Sequence, residues 1–235
     1  MKEHITTVMQ GVRAAADNAP ILAWDVVNEA QADNGSGLKP VTPWYPTLPD
    51  YVDKAFIYAR AADPDALLFY NDYNVTTNPK KEEAIVEMIR SMQSKGVPID
   101  GMGLQFHVKD TDEQTLTRES VAATIKRFGD LGLQVHITEM DVKCPSCDDS
   151  NTAALKKQAE VYEGALSACL LDNKDVCTAF VTWGFTDKYS WLTNVYKEDC
   201  HPLPLDENYE KKPAYNSLLN ILLNKEEALR ETFLQ

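Results

Sequence analysis

Apolar residues recur along this chain with two different spacings, which mark helices and strands. A spacing of three or four positions predicts a helix, and a short apolar run bounded by turn residues predicts a buried strand. The predicted helices are 2–17, 50–62, 80–94, 117–131, 152–171 and a last one that begins after Pro213. The predicted strands are 21–27, 66–70, 99–105, 133–141 and 177–183. An opening helix followed by five strand–helix units predicts one α/β domain with a parallel sheet and right-handed crossovers.

The composition is sufficient for a buried core, and the net charge disfavours some classes of binding partner. Hydrophobic residues make up 44% of the 235 residues, which argues against wholesale disorder. The formal net charge of -13 argues against nucleic acid and anionic membrane surfaces as partners, because both attract basic proteins. The sequence holds no apolar run of about 18 residues, so no transmembrane span is predicted. Residues 1–9 lack the apolar segment of a signal peptide, and none is predicted there.

Two predicted strands end in carboxylates. The run into Asn28 and Glu29 is followed by a loop rich in glycine, and the strand 133–141 delivers Glu139 and Asp141. Polar groups at the carboxyl ends of buried parallel strands are typical of catalytic residues in α/β barrels. Two such glutamates are the minimum equipment for hydrolysing a glycosidic bond. Partial desolvation of Glu29 would raise its pKa and suit it to general acid catalysis, whereas the alternative is a surface glutamate that opens a loop.

His107 follows a third strand and is a candidate link between the carboxylates. Alternation along an extended chain points Glu139 and Asp141 to the same side. A histidine held by Asp141 would donate a hydrogen bond to Glu139 and keep it ionised and oriented. The alternative is a histidine packed in the core.

Aromatic residues follow the strands and the loops just beyond them. Tyr73, Trp183, Tyr189 and Trp191 have this placement, with Trp183 and Trp191 on either side of a polar loop. Flat aromatic faces stack on the C–H faces of sugar rings, so these residues are predicted to form a wall of a sugar site. Core packing is the alternative.

Five cysteines lie at positions 144, 147, 169, 177 and 200. Cys144 and Cys147 have the spacing of a zinc or redox pair, but a second matching pair is absent. One or two disulfides in an oxidising compartment, with an odd thiol left over, are therefore favoured. Cys169 and Cys177 are close enough in sequence for a local bridge, and the remaining connectivity stays open.

Five segments in chain order resemble glycoside hydrolase family 10, the endo-β-1,4-xylanases built on (β/α)8 TIM barrels. The segments read Trp-Asp-Val-Val-Asn-Glu at 24–29, Asn-Asp-Tyr-Asn at 71–74, Gly-Met-Gly-Leu-Gln-Phe-His at 101–107, Ile-Thr-Glu-Met-Asp at 137–141 and Trp-Gly-Phe-Thr-Asp-Lys-Tyr-Ser-Trp at 183–191. The run 206–215 also resembles the family's approach to its last helix. The resemblance covers nearly the whole chain.

The resemblance implies a role for each matching residue. Glu29 would be the acid/base and Glu139 the nucleophile of retaining hydrolysis. The implied supporting residues are His107 and Asp141 behind Glu139, Asn28 at the 2-hydroxyl of the sugar, Gln105, Trp183 and Trp191 around the same sugar, and Tyr73 and Asn74 on the leaving-group side. Cys169 and Cys177 match a disulfide of fungal-type members. Neither a metal nor a cofactor is expected.

The resemblance also implies that only part of the barrel is present. Residues 1–235 would be a truncated catalytic domain with the last five βα units, strands 4 to 8 of a (β/α)8 barrel. The implied function is retaining endo-1,4-β-xylanase activity on xylan and xylo-oligosaccharides, in a full-length protein that is secreted. Whether this chain is active alone stays open, as does its oligomeric state. The alternatives are a related β-1,4-glucanase and a non-catalytic carbohydrate-binding fragment.

Overall fold

The computed structural model describes residues 1–17, 19–40, 42–147, 151–196 and 200–233, and helices alternate with strands throughout them. The helices are α1 (Lys2–Ala15), α2 (Tyr51–Ala62), α3 (Pro79–Ser94), α4 (Arg118–Gly129), α5 (Thr152–Ser167), α6 (Trp191–Tyr196) and α7 (Pro213–Phe233). The strands are β1 (Ala23–Asn28), β2 (Leu67–Asp72), β3 (Gly101–Leu104), β4 (His107–Lys109), β5 (Gln134–Lys143) and β6 (Cys177–Thr182). None of the described helices is long and apolar enough to cross a membrane.

The structure differs from the predicted elements in several places, and one of them is α6, a helix that was not predicted. The prediction of five strands is wrong by one short strand, β4, which follows β3 after a break. Phe106 causes the break, since its φ of 64° lies in the left-handed region and cannot continue an extended strand. The helix predicted over 152–171 ends as an α-helix at Ser167 and continues as a π-helical turn, Ala168–Asp172.

The described residues form two compact units, and unit 1 comprises Met1–Gln105 and Arg127–His136. Its strands β1, β2 and β3 pair in parallel, with Asn28 opposite Asn71 and Phe69 opposite Gly101. Phe69 fills the space beside Gly101, because a Cβ at residue 101 would lie 2.1 Å from a Phe69 ring carbon. β2 is buried from Leu68 to Asp72 and lies between β1 and β3.

Unit 2 comprises Phe106–Lys126 and Ile137–Gln235. Its strand β4 pairs in parallel with β5, so that His107 stands opposite Asp141, and β6 also pairs with β5. The fully buried ring of Tyr162 on α5 belongs to the core of this unit. The prediction of a single domain over residues 1–235 stays a prediction.

Two disulfides lie in unit 2. The predicted bridge between Cys169 and Cys177 is present and joins the π-helical turn to the start of β6. Cys144 and Cys147 form a second bridge directly after β5, so this pair is not a zinc ligand pair in the structure. Cys200 is buried and takes part in neither bridge, and the backbone carbonyl of this residue accepts a hydrogen bond from the N–H of Cys144 at 2.8 Å. Within the described ranges, no group of three or more His, Cys, Asp or Glu is arranged to hold a metal ion.

Candidate active site

The end of β1 positions Asn28 and Glu29 in unit 1. β1 stops at Asn28, and Glu29 takes a left-handed φ of 58°, which turns the chain out of the strand. The turn is fixed on β2, because the N–H of Glu29 donates to the carbonyl of Asn71 at 2.9 Å. The side-chain amide of Asn71 donates to Oδ1 of Asn28 at 3.0 Å. The two candidate residues therefore have a defined backbone and a defined neighbour strand.

Amide donors and one cation surround the Glu29 carboxylate. Nε2 of the buried Gln105 lies 3.1 Å from Oε1 of Glu29 and 2.9 Å from Oδ1 of Asn28. Nζ of Lys39, from the loop between β1 and α2, lies 3.6 Å from Oε2 of Glu29. The Glu29 side chain remains 39% exposed, so burial removes only part of its contact with water. This carboxylate is oriented by donors rather than by burial, and sequence reasoning missed Lys39.

Tyr73 and Asn74 follow β2 on the same side of unit 1. The Tyr73 hydroxyl donates to Oδ2 of Asp33 at 3.1 Å, and Nζ of Lys81 lies 3.6 Å from the centre of its ring. Burial and the charge of Asp33 raise the pKa of Tyr73 to about 12, so it remains a neutral donor. Asn74 is exposed and has a φ of 55°. Both residues predicted for the leaving-group side thus lie on an ordered turn.

Unit 2 holds the second candidate carboxylate, and its three predicted residues are brought together. Glu139 and Asp141 point to the same side of β5, and His107 contacts both from β4. Nε2 of His107 lies 3.1 Å from Oε2 of Glu139, and its Nδ1 lies 3.0 Å from Oδ2 of Asp141. Asp141 is 1% exposed, whereas His107 and Glu139 are partly accessible. The contacts predicted from the alternation in β5 are therefore confirmed by the structure.

The charges around His107 favour an imidazolium. Burial alone would lower the pKa of His107, but the contacts with Asp141 and Glu139 outweigh it and raise the pKa above its ordinary value. A protonated ring carries an N–H on both nitrogens and can therefore donate towards both carboxylates. An ionised, oriented carboxylate is the form of Glu139 that can act as a nucleophile.

Two tryptophans border this cluster. The indole Nε1 of Trp191 donates to Oδ2 of Asp141 at 2.8 Å, and its ring centre lies 5.0 Å from that of His107. The Trp183 ring presents an edge to His107 at 6.4 Å and is 48% exposed. The sequence predicted an aromatic wall here, but the hydrogen bond from Trp191 to Asp141 was missed because no periodicity encodes it.

The family model of glycosyl hydrolase family 10 matches residues 1–221 of this chain. The chain belongs to this family. It is 42% identical to the endo-1,4-beta-xylanase B of Thermotoga neapolitana over 98% of the chain and 62% of that relative. It is 37% identical to exoglucanase XynX of Acetivibrio thermocellus over 92% of the chain and 19% of that relative. This family 10 chain thus spans less than two thirds of the length of both relatives.

A solved structure supports the same assignment at the level of the fold. The native xylanase 10B of Thermotoga maritima superimposes with a TM-score of 0.86 and 41% identity, over 97% of this chain and 66% of that one. The family 10 chain therefore has the parallel α/β architecture of the TIM-barrel family.

Proposed function

We propose that this family 10 chain carries the catalytic residues of a retaining endo-1,4-β-xylanase. The observation that carries the proposal is the contact chain Glu139–His107–Asp141 on β4 and β5 of unit 2. We also propose that its strand–helix units correspond to strands 4 to 8 of a (β/α)8 barrel, with β3 and β4 together as one barrel strand. The two disulfides support an oxidising compartment, and hence a secreted full-length protein.

The proposed reaction has two steps. Glu29 protonates the departing glycosidic oxygen while Glu139 attacks the anomeric carbon and forms a glycosyl-enzyme. Glu29 then deprotonates a water molecule, which releases the product with overall retention. In retaining glycosidases in general the two carboxyl groups are about 5–5.5 Å apart, because no water stands between sugar and nucleophile in the first step.

The neighbours of the two carboxylates have separate tasks in this reaction. His107 contacts Oε2 of Glu139 at 3.1 Å and helps to hold the carboxylate in position for attack. Asn28 offers an amide to the 2-hydroxyl of the sugar, and Gln105 fixes the orientation of that amide. Trp183 and Trp191 present flat faces to the ring, and Tyr73 with Asn74 would meet the leaving-group sugar.

Solved relatives support xylo-oligosaccharides as the ligands. Xylanase 10B of Thermotoga petrophila was solved in complex with xylobiose. Mutants of an intracellular xylanase of Thermoanaerobacterium saccharolyticum were solved in complex with xylotriose and xylotetraose. A glucan-directed activity is a second candidate, because the relative from Acetivibrio thermocellus is named an exoglucanase.

Xylan hydrolysis by the full 235-residue chain tests the proposal. We expect reducing-sugar release from xylan that is abolished in Glu139→Ala and reduced by about a hundredfold or more in Glu29→Ala. Glu160→Ala removes an exposed glutamate from α5 and is the matched control, with unchanged activity expected. If carboxymethyl cellulose were hydrolysed faster than xylan, the assignment of xylan as the substrate would be wrong. Binding of xylan without hydrolysis would favour the carbohydrate-binding alternative.

A further inference from the structure

A single buried carboxylate ties the loop between β6 and α6 to the segment before α7. Asp187 lies in this loop and is 9% exposed. Its Oδ1 accepts a hydrogen bond from the N–H of Leu203 at 2.7 Å, and its Oδ2 lies 3.0 Å from Nζ of Lys212. The backbone N–H of Asp187 donates to the carbonyl of Leu205 at 2.9 Å. The loop is therefore fixed through both the main chain and the side chain of Asp187.

Lys212 is fixed as firmly as its partner. It is 6% exposed, and its Nζ also donates to the carbonyl of His201 at 2.6 Å. Its backbone N–H donates to the carbonyl of Pro204 at 3.1 Å. His201 also faces Asp187, with its Nδ1 4.0 Å from Oδ2. The ion pair thus joins the loop after β6 to the segment before α7.

The geometry continues from Asp187 to the candidate nucleophile. The carbonyl of Asp187 accepts from the N–H of Ser190 at 3.1 Å, and Oγ of Ser190 accepts from the N–H of Leu192 at 3.2 Å. Trp191 lies between these two residues and is the first residue of α6. Hydrogen bonds thereby hold both chain neighbours of Trp191, which links the backbone at Trp191 to the position of Asp187.

The indole of Trp191 helps to hold the Asp141 carboxylate, because it shares one oxygen of that group with His107. His107 and Trp191 contact Oδ2 of Asp141, whereas Oδ1 is buried without a hydrogen-bond partner among the described residues. If the indole moved away, Oδ2 of Asp141 would lose the contact with Trp191 and keep the contact with His107. The orientation of His107, and with it that of Glu139, would then be less constrained.

We propose that the Asp187–Lys212 ion pair positions Trp191 and, through it, the Asp141–His107–Glu139 chain. The role of Glu139 in this statement rests on the proposed function, whereas the positioning of Trp191 does not. A buried ion pair is weak evidence for stability, since a well-packed apolar pair of similar volume often stabilises a protein as well or better. Its directional contacts suit it to setting a geometry.

The indole N–H signal of Trp191 in a proton–nitrogen NMR spectrum of the full chain is the direct test. Trp191→Phe assigns the signal, and the indole of Trp24, which donates to Asp63 in unit 1, is the internal reference. In Lys212→Met we expect the Trp191 signal to shift upfield and its exchange with water to accelerate by about tenfold or more, because a charge-assisted hydrogen bond is lost. Lys211→Met changes the exposed neighbouring lysine and should leave the signal in place.

A second variant keeps the test decisive if Lys212→Met is unstable. Asp187→Asn retains an acceptor for Leu203 but removes the charge that pairs with Lys212, and it should shift the same signal. An unchanged Trp191 signal in both variants would overturn the proposal. Failure of both variants to fold would also overturn it, because the pair would then be required for folding rather than for the position of one side chain.

Kinetics separate this inference from the proposed function. On xylan, Lys212→Met should lower kcat by about tenfold or more with a smaller change in KM, because a misplaced catalytic group costs rate more than ground-state binding. Lys211→Met should match the unmutated chain. A chain that binds but never hydrolyses xylan would refute the proposed function, while the NMR result would still decide the role of the ion pair.

Discussion

Lys81 is a fully buried cation on α3, and its replacement by methionine should destabilise unit 1 strongly. Its Nζ lies 2.8 Å from Oδ1 of Asp72, which is also fully buried, and 2.9 Å from Oδ1 of Asp33, whose side chain is 54% exposed. Methionine preserves much of the volume of lysine but carries no charge. The substitution would leave the Asp72 carboxylate buried without a cation.

The contacts that remain set the magnitude. Removing one partner of a buried ion pair costs about 3–5 kcal/mol, whereas a pair with an exposed partner contributes at most about 1 kcal/mol. Asp72 keeps the hydroxyl of Tyr70 at 2.5 Å and the N–H of Tyr73 at 2.9 Å. Because two donors still solvate the carboxylate, we expect a loss near the lower end, about 3 kcal/mol at neutral pH.

The loss should also depend on pH with a definite sign. Burial raises the pKa of Asp72, and the contact with Lys81 opposes that rise. Without Lys81 the pKa of Asp72 in the folded chain rises further above its value in the unfolded chain. The destabilisation is therefore complete above this raised pKa and becomes smaller as the pH falls through it.

Urea unfolding monitored by circular dichroism at neutral and acidic pH measures both effects. Lys80→Met is the matched control, because Lys80 is the exposed neighbour on the same helix, and we expect a change within about 0.5 kcal/mol. If Lys81→Met were as stable as Lys80→Met at neutral pH, the reasoning about the buried pair would be refuted.

Two further predictions concern a glycine and the histidine. Gly101→Ala should destabilise the chain by about 3 kcal/mol, because its Cβ would lie 2.1 Å from the buried Phe69 ring. Gly11→Ala on α1 should stabilise the chain by about 0.5–1 kcal/mol, because no atom lies within 4 Å of the new Cβ. Thermal unfolding of both variants checks this contrast. Asp141→Asn should lower the pKa of His107, so that the stability from the His107 contacts, present at low pH, is lost at a lower pH than in the unmutated chain. NMR titration of the His107 ring measures that pKa, and an unchanged value would contradict the assigned cause.

Much of the candidate site was predictable because it depends on the two-residue period of a strand. Alternation placed Glu139 and Asp141 on one side of β5, and their common contact with His107 follows from the parallel neighbour strand. The ends of β1 and β2 were predicted in the same way. Short-range sequence spacing was also enough to suggest the bridge between Cys169 and Cys177.

The parts of the structure that were missed depend on features that the spacing of apolar residues along the sequence does not reveal. β4 has three residues, too few for a pattern, and the left-handed Phe106 separates it from β3. Lys39 reaches Glu29 by the closure of a long loop. Lys81 offered one signal, since it lies four residues before Ile85 on the buried stripe of α3, where a charged residue requires a buried partner.

The anomeric configuration of the first product tests the central claim most directly. Proton NMR spectra recorded during hydrolysis of a xylo-oligosaccharide by the chain resolve the two anomers before they equilibrate. Retaining hydrolysis by Glu29 and Glu139 predicts that the β-anomer appears first and that no product appears with Glu139→Ala. Initial release of the α-anomer, or equal release by the Glu139→Ala variant, would contradict the assignment of Glu139 as the nucleophile.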